Sequence, residues 1–473
     1  MPATDLAARI RRGDRSPVEV VEGFLDRIER LDDGINAFVT VREEAAREEA
    51  EAAERALSAG EAVGPLHGVP VAVKDLTDVA GVPTTFGSKL FADHVPDEDA
   101  VVVERLKDAG AIVLGKTNTP EFGRKPMTTN LLHGTTSNPW DATRTAGGSS
   151  GGSAAALAAG LVPLATGSDA AGSLRIPASA CGVTSIVPDF GRVPVESRPD
   201  GFVNTHPYTY VGPMARSVED AALLLDVMAG PDGGDPFGLP AGDGSYREAT
   251  RRGVDGLDVA YSPDLGIAEV DPTVEGVVEE AVGDLERMVA TVDRIDGVFE
   301  ADWRTLDDAL ETLLQDRYGG MYDEFVRERG IDLLERRGDV TEEVVSRVER
   351  ALELDALDVR RAERVRTGAY DAMREVLSAY DLLVTPTLGL LPFEKGTKPT
   401  EIGGVPIDPL HGWALTWPTN LTGNPAVAVP AGVADGLPVG LQIIGRRLED
   451  GTVVSAAAAY ERVRPWADSY PVD

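Results

Sequence analysis

The chain has 473 residues, 42% of them hydrophobic, which is ample for a buried core in one large domain or a few smaller ones. Its 79 acidic side chains against 45 basic ones give a formal net charge of −34, and such a surface repels nucleic acid and anionic membranes. The acids are spread along the whole chain, and only seven of the basic residues are lysine. This is the pattern of a protein adapted to concentrated salt, so multimolar salt is expected to be needed to screen its self-repulsion. Cys181 is the only cysteine, which excludes an intrachain disulfide and points to a reducing, cytoplasmic setting. The N-terminus lacks the basic and apolar regions of a secretion signal. The longest small-apolar run, 154–165, falls short of the ~20 residues that span a bilayer.

The first sixty residues read as helix. Ser16-Pro17-Val18-Glu19 is a capping box with proline at the first helical position, and Val21, Phe24, Leu25 and Ile28 follow at helical spacing. Residues 43–57 read as a second, more exposed helix. The texture then changes to a strand over 69–73, a helix over 99–109 and a strand over 111–114. Further short strands are expected at 183–187, 257–261, 382–385, 426–429 and 441–444. Their wide separation predicts an α/β fold with a mixed, largely parallel-type sheet sandwiched by helices. Residues 231–246 read as a loop. Residues 303–380 are charged and helical, with amphipathic helices over 311–327 and 344–379. We take 1–473 as one domain with 303–380 as a helical layer covering the core.

Three positions carry chemistry. Lys74 ends an apolar run, and a surface lysine is the ordinary reading of such a residue. Its valine flanks, in a chain so poor in lysine, indicate burial instead. Burial disfavours the ammonium and leaves a neutral amine able to accept a proton. Ser149 lies in Gly147-Gly148-Ser149-Ser150-Gly151-Gly152-Ser153, which runs straight into a helix former at 153–159 rather than into a linker. The Lys-Ser/Thr ending of a phosphate loop is missing. Gly148-Ser149-Ser150-Gly151-Gly152 also fits G-x-S-x-G with Ser150 as nucleophile, but no apolar strand precedes it, and only His206 and His411 lie downstream. Ser173 closes a turn-like run, Asp169-Ala170-Ala171-Gly172-Ser173, whose successive N–H groups could converge on one oxygen. Cys181 reads as a small buried thiol near a helix end.

Taken together, these pieces resemble the amidase signature family from about Asp5 to Trp466. The matching segments are Leu66–Pro70 through Lys74-Asp75, Gly115–Asn118 with Glu121-Phe122, Asn138-Pro139-Trp140, Gly147–Ser153, Gly167–Pro177, Gly191-Arg192-Val193, Thr422–Ala426 and Gly436–Gln442. The resemblance implies a Ser–cis-Ser–Lys triad, with Ser173 as nucleophile, Ser149 as bridging serine on a cis peptide and Lys74 as base. It also implies an oxyanion hole built from the N–H groups of Ala170, Ala171, Gly172 and Ser173. No cofactor or metal is implied. The substrate would be a small amide, cleaved to carboxylate plus ammonia or amine.

Two departures stand out. Ala170-Ala171 replaces the family's usual Thr-Gly, and Ser185-Ile186-Val187-Pro188 replaces Gly-Leu-Lys-Pro. An alanine at a left-handed position would misplace an N–H, so an inactive ligand-binding paralogue is a competing expectation. Another is a glutamine-dependent amidotransferase subunit of the tRNA-correcting kind, although those usually carry glutamine where this chain has Ile176. A homodimer is the default oligomer.

Overall fold

The computed structural model describes residues 1–471 apart from 241, 243 and 468. Eleven strands form one sheet. Their spatial order is Phe38–Val41, Ile112–Thr117, Pro70–Lys74, Leu164–Asp169, Tyr210–Ala215, Thr184–Val187, Ala426–Ala434, Leu437–Gly445, Leu382–Pro386, Asp258–Tyr261 and Thr291–Arg294. Two buried apolar clusters flank the sheet, which is the helix-sheet-helix sandwich expected. The balance of pairings differs from the expectation. Among the described residues four neighbours are parallel and six antiparallel. Five of the antiparallel pairs sit at the centre, where Ala426–Ala434 and Leu437–Gly445 form a hairpin turned at Asp435-Gly436, both with positive φ; the sixth joins the edge strand Phe38–Val41 to Ile112–Thr117.

Local chemistry explains the ends of the helices. Pro17–Ile35 starts at Ser16, whose hydroxyl accepts from the N–H of Val18 and Glu19. Its end at Asn36 is left-handed, and the chain turns directly into the strand Phe38–Val41, which the helical reading of the first sixty residues overlooked. The helix expected over 344–379 is instead two, Glu342–Glu353 and Ala356–Ala379. Asp355 stops the first and caps the second, its carboxylate accepting from Leu357 and Asp358 while Asp358 reaches back to its N–H. With Trp303–Arg329 these helices form a layer whose inner face holds Leu306, Leu310 and Leu313. No helix among the described residues is long and apolar enough to cross a membrane.

Candidate active site

Three parallel neighbours, Ile112–Thr117, Pro70–Lys74 and Leu164–Asp169, bring their C-terminal ends together. In open α/β sheets this edge is where ligands bind. Lys74 is the last residue of the middle strand and is wholly buried. The chain 148–150 crosses above it with a cis peptide at Gly148-Ser149, then enters the helix Gly151–Ala158. Glycine is required there for close approach: a β-carbon at Gly152 would collide with the Asn118 backbone nitrogen.

The Lys74 amine meets three hydroxyls, Ser149 Oγ at 2.7 Å, Ser150 Oγ at 2.9 Å and Ser168 Oγ at 3.0 Å. A neutral amine has two hydrogens and one lone pair, so it can donate to two hydroxyls and accept from the third. Burial pushes the lysine down to about 7, against the opposing pull of the Asp169 charge. A sizeable neutral fraction is therefore present at neutral pH. Ser150 is occupied as a structural hydroxyl, bonded also to the Ser168 carbonyl and N–H. His206 pairs with Asp316 and Glu363, and His411 with Asp307, so neither serves Ser150 as the G-x-S-x-G pattern would require.

Ser173 follows the strand Leu164–Asp169 in a tight loop. Its carbonyl accepts from the Ser150 N–H at 3.1 Å, which ties the two serine loops together. The Ser149 and Ser173 hydroxyls are not hydrogen-bonded to each other in this structure. Ala171 does not adopt positive φ; Gly172 does, at +106°. The alanine at 171 is thus accommodated, and the left-handed step falls on the glycine. A β-carbon at Gly172 would also collide with Thr416 Oγ1. One member of the expected oxyanion run is engaged elsewhere: the Gly172 N–H donates to Asp169 Oδ1 at 2.7 Å. Among the described residues the N–H groups of Ala170, Ala171 and Ser173 carry no such bond.

Asp169 and Arg175 were not singled out from the sequence, yet they hold this loop. Both are fully buried and paired in fork geometry, Arg175 Nε to Oδ2 and Nη2 to Oδ1, each at 3.0 Å. Asp169 also accepts from the N–H of Gly172 and Leu174 and from Asn420 Nδ2. Burial alone would raise its carboxyl; the Arg175 charge and these bonds outweigh that and hold it below its usual range. Arg175 continues to the Thr416 carbonyl, Thr419 Oγ1, Gln442 Oε1 and Asn420 Oδ1. Ser168, the third hydroxyl on Lys74, was missed as well. The available signal was its place directly before Asp169 on a strand that went unread. Cys181 ends the helix Arg175–Cys181 fully buried, and burial pushes its thiol far up, so it packs as a small apolar group.

The turn beside Ser149 is fixed separately. A β-carbon at Gly123 would stand 3.4 Å from Ser149 Oγ. The buried Glu121 carboxylate accepts from Ser88 Oγ at 2.6 Å and from Thr341 N and Oγ1 at 2.7 and 2.6 Å, anchoring that turn to the helical layer.

The amidase family profile matches residues 19–454. An acylamidase of Rhodococcus erythropolis is 41% identical over 477 residues, spanning 100% of this chain and 97% of that protein. A glutamyl-tRNA(Gln) amidotransferase subunit from Chloroflexus aurantiacus is 34% identical, spanning 100% of this chain and 98% of that one. Among solved structures, a bacterial aryl acylamidase superposes with a TM-score of 0.95 at 35% identity, covering 99% of this chain and 97% of its own. A 6-aminohexanoate cyclic dimer hydrolase reaches 0.88 at 32%, covering 98% and 97%. With the lysine–serine cluster at the strand ends, this likeness along the whole length places the chain in the amidase signature family, as an amide-hydrolysing enzyme.

Proposed function

We propose that Ser173 is the nucleophile of an acyl-enzyme mechanism in which neutral Lys74 takes a proton from Ser149 as Ser149 takes one from Ser173. Ser173 Oγ then bonds to the amide carbon. Collapse of the tetrahedral intermediate breaks the C–N bond, and Ser149 returns a proton to the leaving nitrogen as Lys74 gives its own back to Ser149. Water next attacks the acyl carbon and gives its proton to the same relay; collapse of the second intermediate breaks the Ser173 Oγ–C bond, the relay returns that proton to Ser173 Oγ, and the carboxylate leaves. Ala170, Ala171 and Ser173 supply the oxyanion donors, with Gly172 committed to Asp169. The observation that carries this reading is the Lys74 amine, buried with no carboxylate bonded to it among the described residues and held at 2.7 Å from the Ser149 hydroxyl.

The acyl group is apolar. Ala171 and Ile176, on either side of Ser173, join a cluster with Met127, Leu310, Trp413 and Trp417. Such a wall leaves the amino and carboxylate groups of glutamine without partners, which supports acylamidase over amidotransferase activity. The buried thiol of Cys181 supports a cytoplasmic setting.

A fluorophosphonate adduct mapped by peptide mass spectrometry tests the assignment without a chosen substrate. The expected adduct is on Ser173 and disappears in Lys74→Ala. An adduct on Ser150, or none on folded protein that hydrolyses no amide, would overturn it. Salt dependence is expected too. The net charge of −34 leads us to expect a lower unfolding midpoint in dilute buffer than in multimolar KCl, as measured by thermal melts. Equal midpoints would end the salt-adaptation reading.

A further inference from the structure

Arg124 directly follows Gly123, the residue packed against Ser149. Only 8% of it is exposed, yet its side chain's one hydrogen bond within the described residues is a long one, Nε to the Glu343 carbonyl at 3.4 Å. Its Nη1 and Nη2 donate to nothing there. Nor are they among the sealed, unpaired side-chain atoms, so they face accessible space. Arg347 stands nearby, fully buried, with its guanidinium over the Tyr318 ring and its Nη2 on Glu311, while its Nε is buried without a partner. Lys125 and Lys398 both reach Glu343, at 3.6 and 3.2 Å.

Charge is unbalanced at this spot. Arg124, Lys125, Arg347 and Lys398 face Glu311 and Glu343, and Glu121 behind Tyr318 is already taken by Ser88 and Thr341. Burial, and then the Arg347 charge, push the Arg124 guanidinium down to about 10. Two of these cations, Arg124 and Arg347, are buried, where a charge with unfilled donors is costly to desolvate. A planar fork with free donors is suited to a carboxylate.

We propose that Arg124, backed by Arg347, is a subsite for a carboxylate carried on the amine portion of the substrate. The side follows from the relay proposed above, on which this inference rests. Ser149 hands its proton to the leaving nitrogen, and Gly123-Arg124 adjoins Ser149. Consecutive Cα atoms are ~3.8 Å apart and an extended arginine reaches ~7 Å, so the guanidinium lies within roughly 15 Å of Ser149, the scale of a small substrate. The substrates are then N-acylated amino acids: an apolar acyl group by Ser173 and an anionic amine by Arg124.

The test compares three anilides on the wild-type enzyme at fixed ionic strength. These are butyranilide, 4-butyramidobenzoate with its carboxylate on the amine side, and glutaric acid monoanilide with its carboxylate on the acyl side. A charge-assisted fork predicts roughly 10- to 100-fold higher kcat/KM for the benzoate over butyranilide, expressed mainly in KM. Arg124→Gln should remove that ratio, and Arg124→Lys should restore part of it, in protein whose circular dichroism matches wild type. Should the variants not fold, the wild-type ratio decides alone. Hydrolysis of butyranilide with no gain for the benzoate overturns the subsite and leaves the amidase mechanism standing. A gain for the glutaric monoanilide instead overturns the amine-side placement. If acetate competes with butyranilide while the benzoate shows no advantage, the site holds a free anion and the proposal fails. Hydrolysis of none of the three, together with no Ser173 adduct, is failure of the mechanism itself.

Discussion

Lys74→Met is expected to reduce kcat/KM for an amide by on the order of 10³-fold and to abolish its pH dependence near neutrality. In the wild type kcat/KM should rise as pH passes about 7, where the buried amine loses its proton, and then level off. The same group leaves a mark on stability. Its folded value is depressed below the unfolded one, from 10.5 to about 7, so between these limits the unfolded chain binds the extra proton. Stability therefore rises with pH across that window, and the contribution is lost as pH falls towards 7. In Lys74→Met this slope should vanish. Rate profiles and denaturant titrations at pH 6, 8 and 10 measure both effects on one pair of proteins. A wild-type rate flat from pH 5 to 10 would show that Lys74 is not the titrating base.

Arg175→Leu is expected to cost about 3–5 kcal/mol of folding stability, because it leaves the Asp169 carboxylate buried without its ion pair. Asp169, Thr416, Thr419, Asn420 and Gln442 all lose a partner in one substitution. Activity should fall with it, since Asp169 also holds the Gly172 and Leu174 N–H groups on either side of Ser173. Arg175→Lys should rescue little: an ammonium cannot span the fork. The exposed pair Arg327–Asp323 is the contrast, and removing it should leave the unfolding midpoint unmoved. Denaturant melts of the three variants decide the matter. A loss under 1 kcal/mol for Arg175→Leu would mean that the loop is held by something else.

The legible parts of the sequence were those where side-chain type follows from burial. Lys74 among valines, and the glycine-serine run before an alanine helix, announced a buried amine beside hydroxyls. The strands at 426–429 and 441–444 were found but cut short, since their continuations carry Pro430, Gly432, Pro438 and Gly440, residues that usually break strands. Leu164–Asp169 went unread because half of it is Gly-Ser-Asp, and with it went Ser168 and the Asp169 pair. Tyr210–Ala215 was lost likewise to Gly212 and Pro213. What the sequence could not express is which distant groups meet: besides Asp169, Arg175 finds four partners more than 240 positions downstream. The commitment of the Gly172 N–H to Asp169 is of the same kind, being a matter of loop geometry.

That long reach bears on when in its synthesis the protein can first work. Lys74, Ser149 and Ser173 leave the ribosome early, but the loop carrying Ser173 is fastened by residues 416–442, and the hairpin 426–445 enters the sheet between two strands made before it, Thr184–Val187 and Leu382–Pro386. A nascent chain, or a fragment ending before residue 416, would carry every proposed reacting group but lack the residues that hold Arg175, so it is expected to be inactive. Contacts of such separation also make folding slow. The proposed centre is thus expected to assemble only after the chain has been made through residue 445.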